Sequence, residues 1–190
     1  MKKLIECVPN FSEGRDMGVI KQITGEIESV DGVKLLDVDP GKATNRTVVT
    51  FVGEPDAVVE AAFLAVKKAA EVIDMRHHHG EHPRMGATDV CPFVPVAGVT
   101  MEDCVELARE LGRRVGEELS IPVYLYGAAA TSPERASLAA VRSGEYGRRE
   151  LTIRINAADT QWHEADMAAA CAAGPDAIVV PKVNSAAEVH

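Results

Sequence analysis

Four of the six histidines in this 190-residue chain, His77, His78, His79 and His82, fall within six residues. Glu81, Arg84 and Asp89 stand beside them, and Gly80, Pro83 and Gly86 interrupt the run. Imidazole titrates near neutrality, so a stretch with this make-up suits proton transfer. Glycine frees backbone angles and proline fixes one, which predicts a shaped loop over residues 74–92 rather than a helix. His82 is the candidate acid–base group. Pro83 restricts the backbone before it, and a neutral imidazole can accept a proton and return it. Arg84 can hold a carboxylate through two parallel hydrogen bonds, while Glu81 or Asp89 can orient the ring. Any single histidine here is more often a solvated loop residue; the cluster as a whole favours function.

The same stretch spells H-x-x-E-H from His78 to His82, a zinc-peptidase signature. That motif needs both histidines on one helix face. Gly80 inside it and Pro83 after it argue against such a helix. Adventitious metal binding is a better expectation than a catalytic zinc, and no metal cofactor is expected.

Two further polar stretches stand out. Val8 to Arg15 (VPNFSEGR) leaves a strand and enters a helix, which Asn10 and Ser12 are placed to cap. Asp37 to Thr47 (DVDPGKATNRT) is a polar turn at the mouth of two strands. Asp37 and Asp39 share one side of an extended strand and can receive cationic or amidine nitrogens, or simply stabilise the turn. The cysteines, Cys7, Cys91, Cys104 and Cys171, form no C-x-x-C pair. They read as buried thiols in a reducing cytoplasm. Cys91, beside Pro92 and Phe93, reads as a small core residue.

The elements that must position these groups alternate between strand and helix. Strands are expected at 4–9, 33–38, 46–52, 93–96 and 122–126. Helices are expected at 14–29, 55–73 (with Val59, Phe63, Val66, Ala70 and Ile73 on one face), 100–119 and 133–141. Pro55, Thr100 with Asp103, and Ser132-Pro133 mark three of the helix starts, and Asp39-Pro40-Gly41 marks a turn. Strands 33–38 and 46–52 are joined too tightly for a crossover helix. The fold class is therefore α/β with a mixed sheet and helices mainly on one face. A net charge of −9 and a pI near 5.2 argue against nucleic acid as a partner. No apolar run reaches the ~18 residues of a membrane span, and the first residues lack the apolar core of a signal peptide.

Taken together, ECVPNFSEGR (6–15), LLDVDPG with TNRTVVTFVG (35–53), IDMRHHHGEHPRMGATDVCPFVPV (73–96), PVYLYG (122–127) and SGEY (143–146) resemble the glutamate formimidoyltransferase family, in its N-terminal subdomain. The likeness covers about residues 1–147, in order. It implies transfer of a formimino group from N-formiminoglutamate to tetrahydrofolate in histidine degradation and one-carbon metabolism. Tetrahydrofolate would be a co-substrate rather than a bound cofactor. The family's catalytic histidine falls on His82. Substrate contacts are expected from Asn10, Asp39, Asn45 and Arg84. The family also implies a homodimer, or a second subdomain that completes the folate tunnel.

Residues 151–190 form a separate expectation. They read as a strand, a helix at 164–172 and a second strand, too little to enclose a core. Arg154-Ile155-Asn156 and Pro181-Lys182-Val183 resemble part of the citrate lyase β-subunit and HpcH/HpaI aldolase group, which implies a fragment of a barrel. The organisation expected is thus a subdomain at 1–150 joined to a β-α-β fragment at 151–190. Two alternative functions follow, a non-catalytic module that binds folate or a subunit, and a magnesium- and CoA-dependent carbon–carbon lyase.

Overall fold

The structure, a computed structural model, describes residues 2–81, 84–142, 152–154 and 177–179. The chain divides into two compact units, Met1–Leu138 and Ala139–His190. In the first, the elements run β1 (Leu4–Cys7), β2 (Asn10–Phe11), α1 (Met17–Glu28), β3 (Val33–Gly41), β4 (Arg46–Gly53), α2 (Pro55–Val72), β5 (Thr88–Val90), β6 (Phe93–Ala97) and α3 (Met101–Leu119). A short helix α4 (Leu138–Arg142) starts on the unit's last residue. In the second unit, β7 (Thr152–Arg154) and β8 (Ala177–Val179) pair in parallel.

The larger sheet is antiparallel at every described pairing, within the expected α/β class. Both β1 and β2 lie along one side of β4 in a single register, Cys7 opposite Phe51 and Asn10 opposite Val48. They form one ladder broken at Val8-Pro9. On their other side β6 and β5 form a second broken ladder, with Phe93 opposite Cys7 and Val90 opposite Asn10. On the far side of β4, β3 is an outer strand.

Alternation along RTVVTFVG explains the burial. Thr47, Val49, Phe51 and Gly53 face the helices and are buried, while Arg46, Val48, Thr50 and Val52 face away and are half-buried. Ile5, Cys7, Phe11, Val49 and Phe51 from the sheet meet Ile23 and Ile27 of α1 and Val58, Val59, Ala62 and Phe63 of α2 in one core. Leu111 and Val115 of α3 join it.

Helix starts follow local chemistry. Pro55 opens α2 at its first turn. Thr100 and Asp103 form the reciprocal capping box expected for α3. For α1 the cap is Asp16, whose carboxylate accepts from the Gly18 and Val19 amides. Asn10 and Ser12, expected to cap that helix, instead belong to β2 and to the segment leaving it.

Four other expectations are corrected. Asp39-Pro40-Gly41 is strand, and the turn is Lys42 to Asn45. Proline is tolerated there because β3 is an edge strand, where a missing N–H can face solvent. Residues 122–126 are irregular rather than a strand. The Val123 and Leu125 side chains lie over α3, so that a methyl on Gly112 would stand 3.3 Å from Val123 and 3.7 Å from Leu125. The predicted helix at 133–141 is split into a 3-10 turn at Pro133–Arg135 and α4, and Ser132 makes no side-chain cap. Ala70 is exposed; the buried face of α2 centres on Val58, Ala62, Ala65 and Ala69, because α2 packs against α1 and α3 as well as the sheet. The helix expected at 164–172 lies outside the described residues.

Candidate functional site

The histidine loop leaves α2 through a 3-10 turn, Met75–His77, capped by the Asp74 carboxylate on the Arg76 amide. Arg76 closes the pair with two guanidinium bonds, and this holds the Asp74 carboxyl far below the usual carboxylate range. Beyond the turn, His78 is extended and residues 79–80 have no regular structure. The helix a zinc signature requires is therefore not formed over His78–Glu81.

Three segments far apart in sequence are tied together here by buried polar groups. Asn45 ends the β3–β4 turn with φ +48°, in the left-handed region that asparagine tolerates better than most residues. Its amide works in both directions. Its Oδ1 accepts from the Gly14 N–H at 2.9 Å, and its Nδ2 donates to the His79 carbonyl at 3.0 Å. The Ser12 hydroxyl, fully buried, donates to the Gly86 carbonyl at 2.7 Å, and the Ser12 N–H donates to Ala87. The Thr47 hydroxyl donates to the Glu13 carbonyl, and the Glu81 N–H donates to Ala43. So residues 10–14, 41–47 and 78–87 form one polar knot at the end of the sheet. Asn45→Ala removes one buried and one partly buried hydrogen bond at a positive-φ position and is expected to cost about 2 kcal/mol or more. Urea unfolding measures it.

Within the loop His78 is the half-buried member of the described histidines; His77 and His79 are exposed. The Arg84 guanidinium donates to His78 Nδ1 and to the Gly80 carbonyl, the latter at 2.6 Å. A guanidinium nitrogen only donates. His78 Nδ1 must accept, which puts the ring in its neutral form with the proton on Nε2. Burial, and then the positive Arg84, hold this histidine below its ordinary pKa. Its Nε2 is buried, and the nearby Asn45 and Ser12 backbones act on the ring in the opposite sense, favouring its protonation. Asp89 accepts from the Met85 amide at 3.1 Å and so shapes the loop's exit. Gly80 cannot carry a side chain, since a Cβ would stand 2.3 Å from the Thr44 carbonyl oxygen.

The site residues expected from sequence divide accordingly. Asn45 and Arg84 are in the knot, and both terminal nitrogens of the Arg84 guanidinium are engaged inside the loop. Asn10 sits at its edge, buried, with Nδ2 on the Val8 carbonyl. Asp39 is exposed on β3, opposite Val48, and Val48 is opposite Asn10, which is opposite Val90. Directly paired residues share a face, so Asp39, Val48, Asn10 and Val90 form one row on the face away from the helices. Two strand spacings, about 10 Å, separate Asp39 from Asn10. His82 lies outside the described residues, between Glu81 and Arg84. Sequence reading missed Ser12 and Thr47 as fasteners, and His78 as the engaged histidine.

A family model described as the formiminotransferase domain, N-terminal subdomain, matches residues 4–179. The chain belongs to this family. The match continues past residue 150 and takes in both strands of the smaller sheet. Among curated relatives, the formimidoyltransferase-cyclodeaminase of Dictyostelium discoideum is 58% identical over 154 residues, 81% of this chain and 29% of that protein. The rat protein of the same name is 58% identical over 146 residues, 77% of this chain and 27% of its own length. The glutamate formimidoyltransferase of Thermoplasma acidophilum is 56% identical over 159 residues, 84% of this chain and 52% of that protein. The chain thus spans about half the length of that relative and under a third of the two formimidoyltransferase-cyclodeaminases.

Proposed function

We propose that this chain supplies the N-terminal half of a site that moves a formimino group from N-formiminoglutamate to tetrahydrofolate. The observation that carries the reading is the knot. Three of the stretches that resemble the formimidoyltransferase family, 6–15, 35–53 and 73–96, are the ones that Asn45, Ser12 and Thr47 fasten together. In the proposed reaction the folate N5 amine attacks the amidine carbon, forming a C–N bond and shedding a proton. The bond to the glutamate nitrogen then breaks, and that nitrogen takes a proton. His82, held on a loop fixed at both ends, serves both transfers. Asp39 and Asn10, in one row on the sheet face away from the helices, are proposed to receive the cationic amidine, and Asn45 and Arg84 to shape the loops beside it. Folate is a substrate, and no step calls for a metal. Among the described residues no helix is long and apolar enough to cross a membrane; a cytoplasmic location is part of the proposal.

The second reading is a non-catalytic module that binds folate or a subunit, in which the same fastened loops hold a ligand without turnover. Residues 151–190 are proposed as a β-α-β fragment, supported by the parallel β7–β8 pair, which requires a crossover. Their likeness to the citrate lyase and aldolase group remains part of that proposal, and lyase activity with magnesium and CoA is not expected. Isothermal titration of tetrahydrofolate tests the main reading. Weak binding by the chain alone and tight binding once a relative's second half is joined to it are expected. Tight binding by the chain alone would sink the shared-site argument, and no binding in either form would sink the folate reading.

A further inference from the structure

Two thiols, 84 residues apart in sequence, lie with their sulfurs 3.6 Å from each other where the loop re-enters the sheet. Cys7 is the last residue of β1, and Cys91 follows β5. Their closeness comes from sheet register. Cys7 is directly opposite Phe93, and the Val8 N–H donates to the Pro92 carbonyl at 3.2 Å. Cys91 therefore occupies the same ladder two residues before Phe93. In such a ladder diagonal neighbours share a face. The backbone bond between Val8 and Pro92 clamps the two segments between the cysteines. Cys7 is fully buried, whereas Cys91 is half-buried and so reachable.

We propose that Cys7 and Cys91 form a reversible, peroxide-sensitive dithiol that ties the exit of the histidine loop to β1. The chemistry balances in two steps. The Cys91 thiolate attacks one oxygen of hydrogen peroxide, giving a sulfenic acid and hydroxide, which takes up a proton to become water. The Cys7 sulfur then attacks the Cys91 sulfur, forming the S–S bond and expelling hydroxide, which leaves as water with the Cys7 proton. Two electrons pass from the two thiols to the peroxide, and a dithiol reductant restores them. The order follows from access. Burial, more than any other influence, pushes the Cys7 thiol well up, so Cys7 resolves and does not initiate.

Closing the bond draws the sulfurs from 3.6 Å to about 2 Å. Cys7 is fixed in the core, so the displacement falls on Cys91 and on Asp89 and Val90 before it. Asp89 holds the Met85 amide and Val90 adjoins Asn10, so the change reaches the polar knot directly.

The test uses the unaltered chain. It is treated with hydrogen peroxide, alkylated under denaturing conditions and mapped by peptide mass. The expected result is a fall from four alkylatable cysteines to two, a linked peptide pair containing Cys7 and Cys91, and full recovery with dithiothreitol. In Cys7→Ser, or in Cys7→Ala if the serine variant does not fold, dimedone is expected to label Cys91 and no linked pair to form. Four alkylatable cysteines after excess peroxide would overturn the proposal. So would a disulfide that joins either residue to Cys104 or Cys171 instead.

Discussion

Replacing His82 by alanine, in the chain joined to a second formiminotransferase half, is expected to lower formimino transfer by about 10²–10⁴-fold. Folding should be unaffected. The loop that carries residue 82 is fastened by the Asn45 amide on His79, the Ser12 hydroxyl on Gly86 and the Arg84 guanidinium on Gly80. Each of these contacts involves residues other than 82. The imidazole would be asked to remove one proton and deliver another, and alanine can do neither. His78→Ala separates general loop damage from chemistry. That half-buried ring is held below its ordinary pKa by burial and then by Arg84, and is poorly suited to taking up a proton, so its removal should loosen the loop and act mainly through substrate affinity. A His82→Ala protein that keeps more than a tenth of its turnover would remove the histidine from the mechanism. A His78→Ala protein with the larger loss would transfer the role to the neighbour.

Gly14→Ala carries the largest expected cost in stability, about 3 kcal/mol or more. A Cβ on Gly14 would stand 2.4 Å from the Gly41 carbonyl oxygen, 2.6 Å from the Arg46 nitrogen and 2.9 Å from the Arg46 carbonyl oxygen. All three are backbone atoms at the mouth of the β3–β4 hairpin, so no side chain can swing aside. The hairpin would have to retreat, and the Gly14 N–H would lose the Asn45 oxygen. Asn45 also holds His79, so the damage would spread to the histidine loop. Gly116→Ala is the control. A Cβ there meets nothing within 4 Å on α3, and alanine should be neutral or stabilising by up to about 1 kcal/mol. Equal urea midpoints for the two variants would show that the close approach at Gly14 is not real.

What could be read from the sequence was mostly what short-range chemistry decides. The Thr100–Asp103 capping box, the strand at 46–52 and the loop around Gly80 all depend on neighbours within a few residues, and each is present. The errors arise where a distant partner overrides a local rule. Pro40 suggested a turn, yet an outer strand accommodates it. Val123 and Tyr124 suggested a strand, but that segment rests on α3 at Gly112 and both residues remain exposed. Asn10 and Ser12 suggested a helix cap, because the strand register that recruits them is set by β4 and β5. The site was legible as a set of three stretches. Its fasteners were not, because a serine that bonds a carbonyl 74 residues later leaves no local signature.

The placement of the prolines has a consequence for solution behaviour. Pro40 sits in β3 and Pro95 in β6, so each outer ladder of the larger sheet contains a residue with no amide hydrogen. The skipped residue in β3, Leu36, adds a kink beside Asp37. Rims interrupted in this way are poor templates for another molecule's strand. The larger sheet should therefore resist edge-on polymerisation even when the protein is concentrated.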